Sequence, residues 1–157
     1  MQAYQRKAKE YAKIPLLRRI NTTKFKPSRK HSPMPKTFLS LGAINAFLCV
    51  ALGAFGAHGL QNIMPADMLA VFHTGVQYHF YHALALMMIG LILIHFSKSR
   101  LIEASGWLML IGIILFCGSL YVLSFTGIRS LGMLAPFGGL SLLSAWVLLA
   151  TGIWKAK

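Results

Sequence analysis

The chain has 157 residues, of which 56% are hydrophobic and only 12% charged. That balance lies outside the range of soluble domains and excludes a water-soluble enzyme as the simplest expectation. The formal net charge of +13 looks like a nucleic-acid footprint, yet eleven of the sixteen Lys and Arg lie at or before Lys36 with only Glu10 opposing them, and the rest of the chain carries +3. The charge belongs to one segment, and nucleic acid is not an expected partner.

Residues 1–37 form that segment, with Arg6, Lys7, Lys9, Lys13, Arg18, Arg19, Lys24, Lys26, Arg29, Lys30 and Lys36 interrupted by Pro15, Pro27, Pro33 and Pro35. Such a block is expected to be disordered or surface-bound. Tyr4, Tyr11, Ile14, Leu17 and Ile20 could rest on anionic lipid, each nearby cation contributing about 1 kcal/mol. A mitochondrial transit peptide shares the scarcity of acids but calls for more serine. Met34 is an alternative start, with the upstream residues then an artefact of start assignment.

Crossing about 30 Å of hydrocarbon takes about 20 apolar residues. Four uncharged stretches reach that length, at 38–57, 78–96, 106–125 and 131–154, and each ends in a charge or turn cluster such as Lys98 with Arg100 or Lys155 with Lys157. They lack the polar face that a soluble helix shows at period 3.6. In a bilayer, backbone amides must be bonded within the segment, so helices are required. The expected fold is all-α, an integral membrane four-helix bundle over 38–157. In the first link Pro65 suits a first helical turn and Met68, Leu69, Phe72 and Val76 form an apolar stripe, which predicts a short interfacial helix there, separate from or continuous with the second span. Basic residues gather at the N-terminal side, the Lys98/Arg100 loop and the C-terminal tail, so both termini are expected in the cytoplasm.

Cys49 and Cys117 each sit within an apolar run, where a free thiol packs as a small hydrophobe; no zinc-type spacing is present. The unusual polar residues gather toward the outer leaflet. His58 ends the first span, Tyr78, His79 and His82 open the second, Ser119, Tyr121 and Ser124 end the third, and Pro136, Gly138 and Gly139 begin the fourth. Ionisable groups inside a membrane are costly and mark functional sites. The candidate polar cluster is therefore His58, Tyr78, His79, His82 and Tyr121, with His58 and His82 its expected ionisable members. His73, His79 and His95 are placed in or near headgroup water. A metal would need three or four converging ligands, and Asp67 is the only carboxylate near the outer face. Neither a metal nor a cofactor is expected, and no catalytic fingerprint is present.

Glycine and alanine supply a packing pattern. Gly42, Ala46, Gly53 and Ala57 recur at spacings of four or seven, a seam that lets membrane helices approach closely, and Gly112, Gly118, Gly132, Gly138 and Gly139 suggest similar contacts later. Pro136 is expected to kink the fourth span and to free the Gly132 carbonyl.

Four strings stand out together: Leu52–Gly59 (LGAFGAHG), Thr74–Tyr78 followed by Tyr81–Leu86, Leu115–Tyr121 (LFCGSLY), and Ala135–Gly139 (APFGG) with Trp146. In order and spacing they resemble the YgdD/YwdK-like family of small membrane proteins, the domain of unknown function numbered 423. The resemblance spans about Met34 to Trp154. It implies a bacterial inner-membrane protein of four spans with no assigned catalytic residues. The family's usual Gly-Trp is Ala145-Trp146 here, and typical members begin close to the first span. The expected function is non-enzymatic: a structural, partner-binding or envelope role, with the bilayer and a second copy or an unknown membrane protein as partners. A small transporter or channel component with a histidine site in the outer leaflet is the alternative.

Overall fold

The computed structural model describes Arg6 and residues 34–96 and 99–156; the expectations for the basic block and the Lys98 loop residue fall largely outside them. Among the described residues, four helices are long and apolar enough to cross a membrane. Helix α1 (Met34–Phe55) continues through a π-helical turn at Gly56–Leu60. Helix α2 is Ala66–His95. Helix α3 (Arg100–Thr126) is interrupted by a π-helical turn at Ile113–Cys117. A 3-10 turn at Arg129–Leu134 leads into α4 (Ala135–Lys155).

No separate interfacial helix stands between the first two spans. The Met68, Leu69, Phe72, Val76 stripe forms the first turns of α2, which runs unbroken for 30 residues, about 45 Å at 1.5 Å per residue. The glycine that could have broken it, Gly75, instead seats a neighbour: a Cβ there would come 2.9 Å from Cε1 of Tyr121. The Pro136 expectation is also corrected. Proline falls in the first turn of α4, where its missing N–H is not needed, and Ala135 adopts right-handed helical angles. The Gly132 carbonyl accepts from the Ala135 N–H, so it is not orphaned. Helix α3 ends where Gly127 takes a left-handed φ of 67° and its N–H donates to the Leu123 carbonyl at 2.8 Å.

The helices pack mainly as two antiparallel pairs, α1 on α2 and α3 on α4, joined by contacts between α2 and α3. Within each pair the backbones are close because glycine removes the side chain at the crossing. In the first pair, a Cβ on Gly42 would stand 2.8 Å from the Ala83 carbonyl oxygen and one on Gly90 2.9 Å from the Pro35 carbonyl oxygen. In the second, a Cβ on Gly138 would come 2.7 Å from the Phe116 Cα and one on Gly152 3.1 Å from the Ile102 amide nitrogen. The pairs are pinned at one end by Phe38, fully buried, which lies over Gly106 and meets the Trp107 ring edge-on at 5.3 Å. Phe38, Leu86, Ile89, Ile102, Met109 and Ala145 belong to one continuous apolar core drawn from all four helices.

Other positions of the anticipated seam are looser. Gly53 makes an ordinary 3.6 Å contact with Val76, Gly139 reaches Phe116 only at 4.0 Å, and Gly118 has nothing within 4 Å. Ala57 is exposed and Ala46 half-buried. Spacing along one helix cannot reveal which small residues meet a neighbour, because the crossing point depends on the partner.

Candidate functional site

A polar chain crosses three helices, near the middle of α1 and α2 and in the last turns of α3. Asn45 of α1 donates from Nδ2 to the Leu41 carbonyl at 2.7 Å, which turns its amide oxygen toward α2. That oxygen lies 2.8 Å from His79 Nε2, and His79 Nδ1 lies 3.1 Å from the Tyr121 hydroxyl of α3. One assignment satisfies every member: Nε2–H donates to Asn45, and Nδ1 accepts from the Tyr121 O–H. The local sequence explains the positions. Gly42 brings α1 against Ala83, one turn beyond His79, and Gly75, one turn before His79, gives the Tyr121 ring its seat. Phe72 holds the other side of that ring at 5.3 Å.

His79 is 6% exposed. It is therefore enclosed by the bundle, where the expectation had set it at the edge of a span beginning at Tyr78. Helix α2 begins twelve residues earlier than that span, which moves His79 to mid-helix. Asn45 was missed altogether. An amide alone in an apolar run was the available signal, since a buried polar group needs a partner and helix-to-helix hydrogen bonds supply one.

His82, one turn further along α2, faces elsewhere. Its Nδ1 lies 2.7 Å from the Tyr78 carbonyl of its own helix, its ring stacks on Tyr78 at 6.1 Å and 21°, and Trp146 of α4 lies across it at 6.3 Å and 60°. The anticipated cluster is thus divided: His79 pairs with Tyr121, His82 with Tyr78, and His58 lies exposed in the π turn that ends α1. Ser119 and Ser124 bond to carbonyls of their own helix, at Phe116 and Tyr121, whereas Ser141 donates from α4 to the Leu108 carbonyl of α3 at 2.8 Å. Among the described residues no buried side-chain nitrogen or oxygen lacks a partner, and no three His, Cys, Asp or Glu residues come together as metal ligands do.

Comparison with known proteins settles the kinship. A family model described as a protein of unknown function (DUF423) matches residues 52–139. The UPF0382 membrane protein YwdK of Bacillus subtilis is 48% identical over 120 residues, 76% of this chain and 98% of the relative. The chain belongs to the DUF423/UPF0382 membrane protein family. A UPF0382 membrane protein of Haemophilus influenzae is 40% identical over 124 residues, 79% of this chain and 98% of the relative. One from Staphylococcus saprophyticus is 42% identical over 120 residues, 76% and 98% of the two chains. No solved structure matches. The DUF423 match contains His58, Tyr78, His79, His82 and Tyr121 and stops short of Asn45 and Trp146.

Proposed function

We propose that this DUF423/UPF0382 protein is a non-enzymatic integral membrane protein of the bacterial inner membrane, a rigid four-span bundle that binds a partner within the membrane. The observation that supports this best is the completeness of the chain from Leu41 through Asn45 and His79 to Tyr121. Asn45 is anchored to its own helix and the two bonds of His79 join it to α1 and α3, so these polar groups fasten helices and none is held out toward a substrate. The outward faces are broadly apolar: Phe47, Val50, Phe137, Leu140, Leu143 and Val147 are all well exposed, as lipid contact or a membrane partner requires.

The transport alternative draws on one observation, that His79 and His82 stand on successive turns of one apolar helix. Both ideas meet in one assay. The full chain reconstituted in vesicles loaded with a pH-sensitive dye should pass no more protons under a potassium diffusion potential than empty vesicles do. A proton flux that His79→Ala abolishes would establish transport and overturn the non-transporting role.

Cytoplasmic termini complete the proposal, supported by the basic residues at Lys98, Arg100, Lys155 and Lys157. Reporter fusions after Lys157 and within the Gln61–Asp67 link should report opposite sides, and the same side for both would reverse it. Residues 1–37, where expressed, are proposed to add affinity for anionic lipid, seen as salt-sensitive binding of that peptide to anionic vesicles.

A further inference from the structure

His82 has a hydrogen-bonding capacity that the bundle does not use. It is 7% exposed, and its Nδ1 lies against the Tyr78 carbonyl. A carbonyl only accepts, so Nδ1 carries the hydrogen, and in the neutral ring Nε2 is left as an acceptor. No described residue donates to it. Nδ1 is turned back on the helix's own backbone, which directs Nε2 away from α2. Because no fully enclosed nitrogen or oxygen among the described residues lacks a partner, Nε2 keeps some accessible surface beside the exposed Tyr78 and Trp146.

What surrounds that surface is aromatic. Tyr78 stacks on the imidazole, Trp146 of α4 stands across it, and Phe116 of α3 backs the Tyr78 ring at 5.1 Å. Tyr78 and Trp146 are 42% and 41% exposed, so both line the outer surface. Neither the Tyr78 hydroxyl nor the Trp146 indole N–H has a hydrogen-bond partner among the described residues. His82 and Trp146 lie near the middles of α2 and α4, where hydrocarbon offers no water to satisfy them. One acceptor and two donors thus border a patch of flat rings that is reached from the lipid.

We propose that this flank, at His82, Tyr78 and Trp146, binds a membrane-dissolved quinol, a flat ring bearing hydroxyls on opposite edges. One hydroxyl donates to His82 Nε2, the other oxygen accepts from the Trp146 N–H or the Tyr78 O–H, and the ring lies against the aromatic side chains. A plain acyl chain offers no donor. A phosphorylated headgroup would need a cation, and the Lys and Arg residues of the described spans stand at or near helix ends. A sterol-like alcohol has one hydroxyl and no aromatic face. The site requires neither turnover nor transport, so it stands or falls apart from the proposed function.

The test uses the full chain with Trp107→Phe and Trp154→Phe, leaving Trp146 as the sole tryptophan, in phosphatidylcholine vesicles titrated with a short-chain benzoquinol. Trp146 emission should be quenched saturably. His82→Ala should raise the half-saturating concentration about tenfold, the value of a lost hydrogen bond in a dry site, and the dimethyl ether of the same quinol should show the same loss. His79→Ala, whose ring is bonded to Asn45 and Tyr121 and not to this flank, should leave the curve unchanged. Where His82→Ala loses its helical circular dichroism, the quinol and its dimethyl ether are compared on the chain with His82 intact, where the tenfold difference should stand. Quenching that rises linearly without saturation, or saturates alike for the quinol and its ether, would overturn the assignment.

Discussion

Replacing Gly138 by alanine tests the close approach of α3 and α4 at its tightest point. The added methyl would collide with the backbone nitrogen of Phe116 and come within 2.7 Å of its Cα. These atoms belong to a helix backbone at the π turn and cannot rotate aside as a side chain would. Overpacking of this kind costs about 1–3 kcal/mol, and a backbone obstacle places Gly138→Ala at the upper end. Alanine recovers about 1 kcal/mol as a better helix former, leaving a net loss of about 2 kcal/mol. Gly118→Ala is the matched control. Gly118 has helical angles of φ −58° and ψ −45° and nothing within 4 Å of the new methyl, so the same gain of about 1 kcal/mol comes without a collision. The two variants should therefore differ by about 3 kcal/mol in opposite directions from the wild type. Unfolding in mixed micelles by increasing dodecyl sulfate, followed by circular dichroism, measures this. Equal transition midpoints for the two variants would refute the proposed crossing.

Four further outcomes follow from particular contacts. His79→Ala should leave the Asn45 oxygen and the Tyr121 hydroxyl unpaired and cost about 1–3 kcal/mol in the same unfolding assay. In a double-mutant cycle, Asn45→Leu and Tyr121→Phe should couple through His79 although the two side chains share no hydrogen bond, with additivity counting against the chain. Phe38→Ala removes a fully buried ring over Gly106 and should cost about 3 kcal/mol, at the low end for such truncations because lipid, unlike water, does not penalise the exposed apolar surface. Cys49 and Cys117, both buried free thiols, should resist a water-soluble maleimide in the folded protein and react once dodecyl sulfate unfolds it; rapid labelling beforehand would contradict their burial.

The sequence carried the four helices because an uncharged run of about 20 residues has few alternatives: in hydrocarbon its amides must bond to one another. It also carried the family, through LGAFGAHG, LFCGSLY and APFGG. Helix ends were less legible. Composition dates a span from its last charge or turn residue, whereas α2 starts at Ala66 by hydrogen bonding and carries its polar-looking first turns along with it. That difference moved His79 from the end of a span to the middle of a helix.

Partnership between helices was decided only in three dimensions. Helical spacing showed that Tyr78, His79 and His82 share an edge, but three or four residues of rotation send His79 toward Asn45 and Tyr121 and His82 toward Trp146. Likewise a Cβ on Gly138 would strike the Phe116 backbone and one on Gly118 would meet nothing within 4 Å, though both read as small residues in apolar runs. The one-dimensional pattern determines that the chain enters the membrane four times, since that depends on each segment's own transfer free energy. Which glycine meets a backbone and which histidine is left with an open nitrogen depend on the rotation and depth of one helix against another, set by packing between residues far apart in the chain.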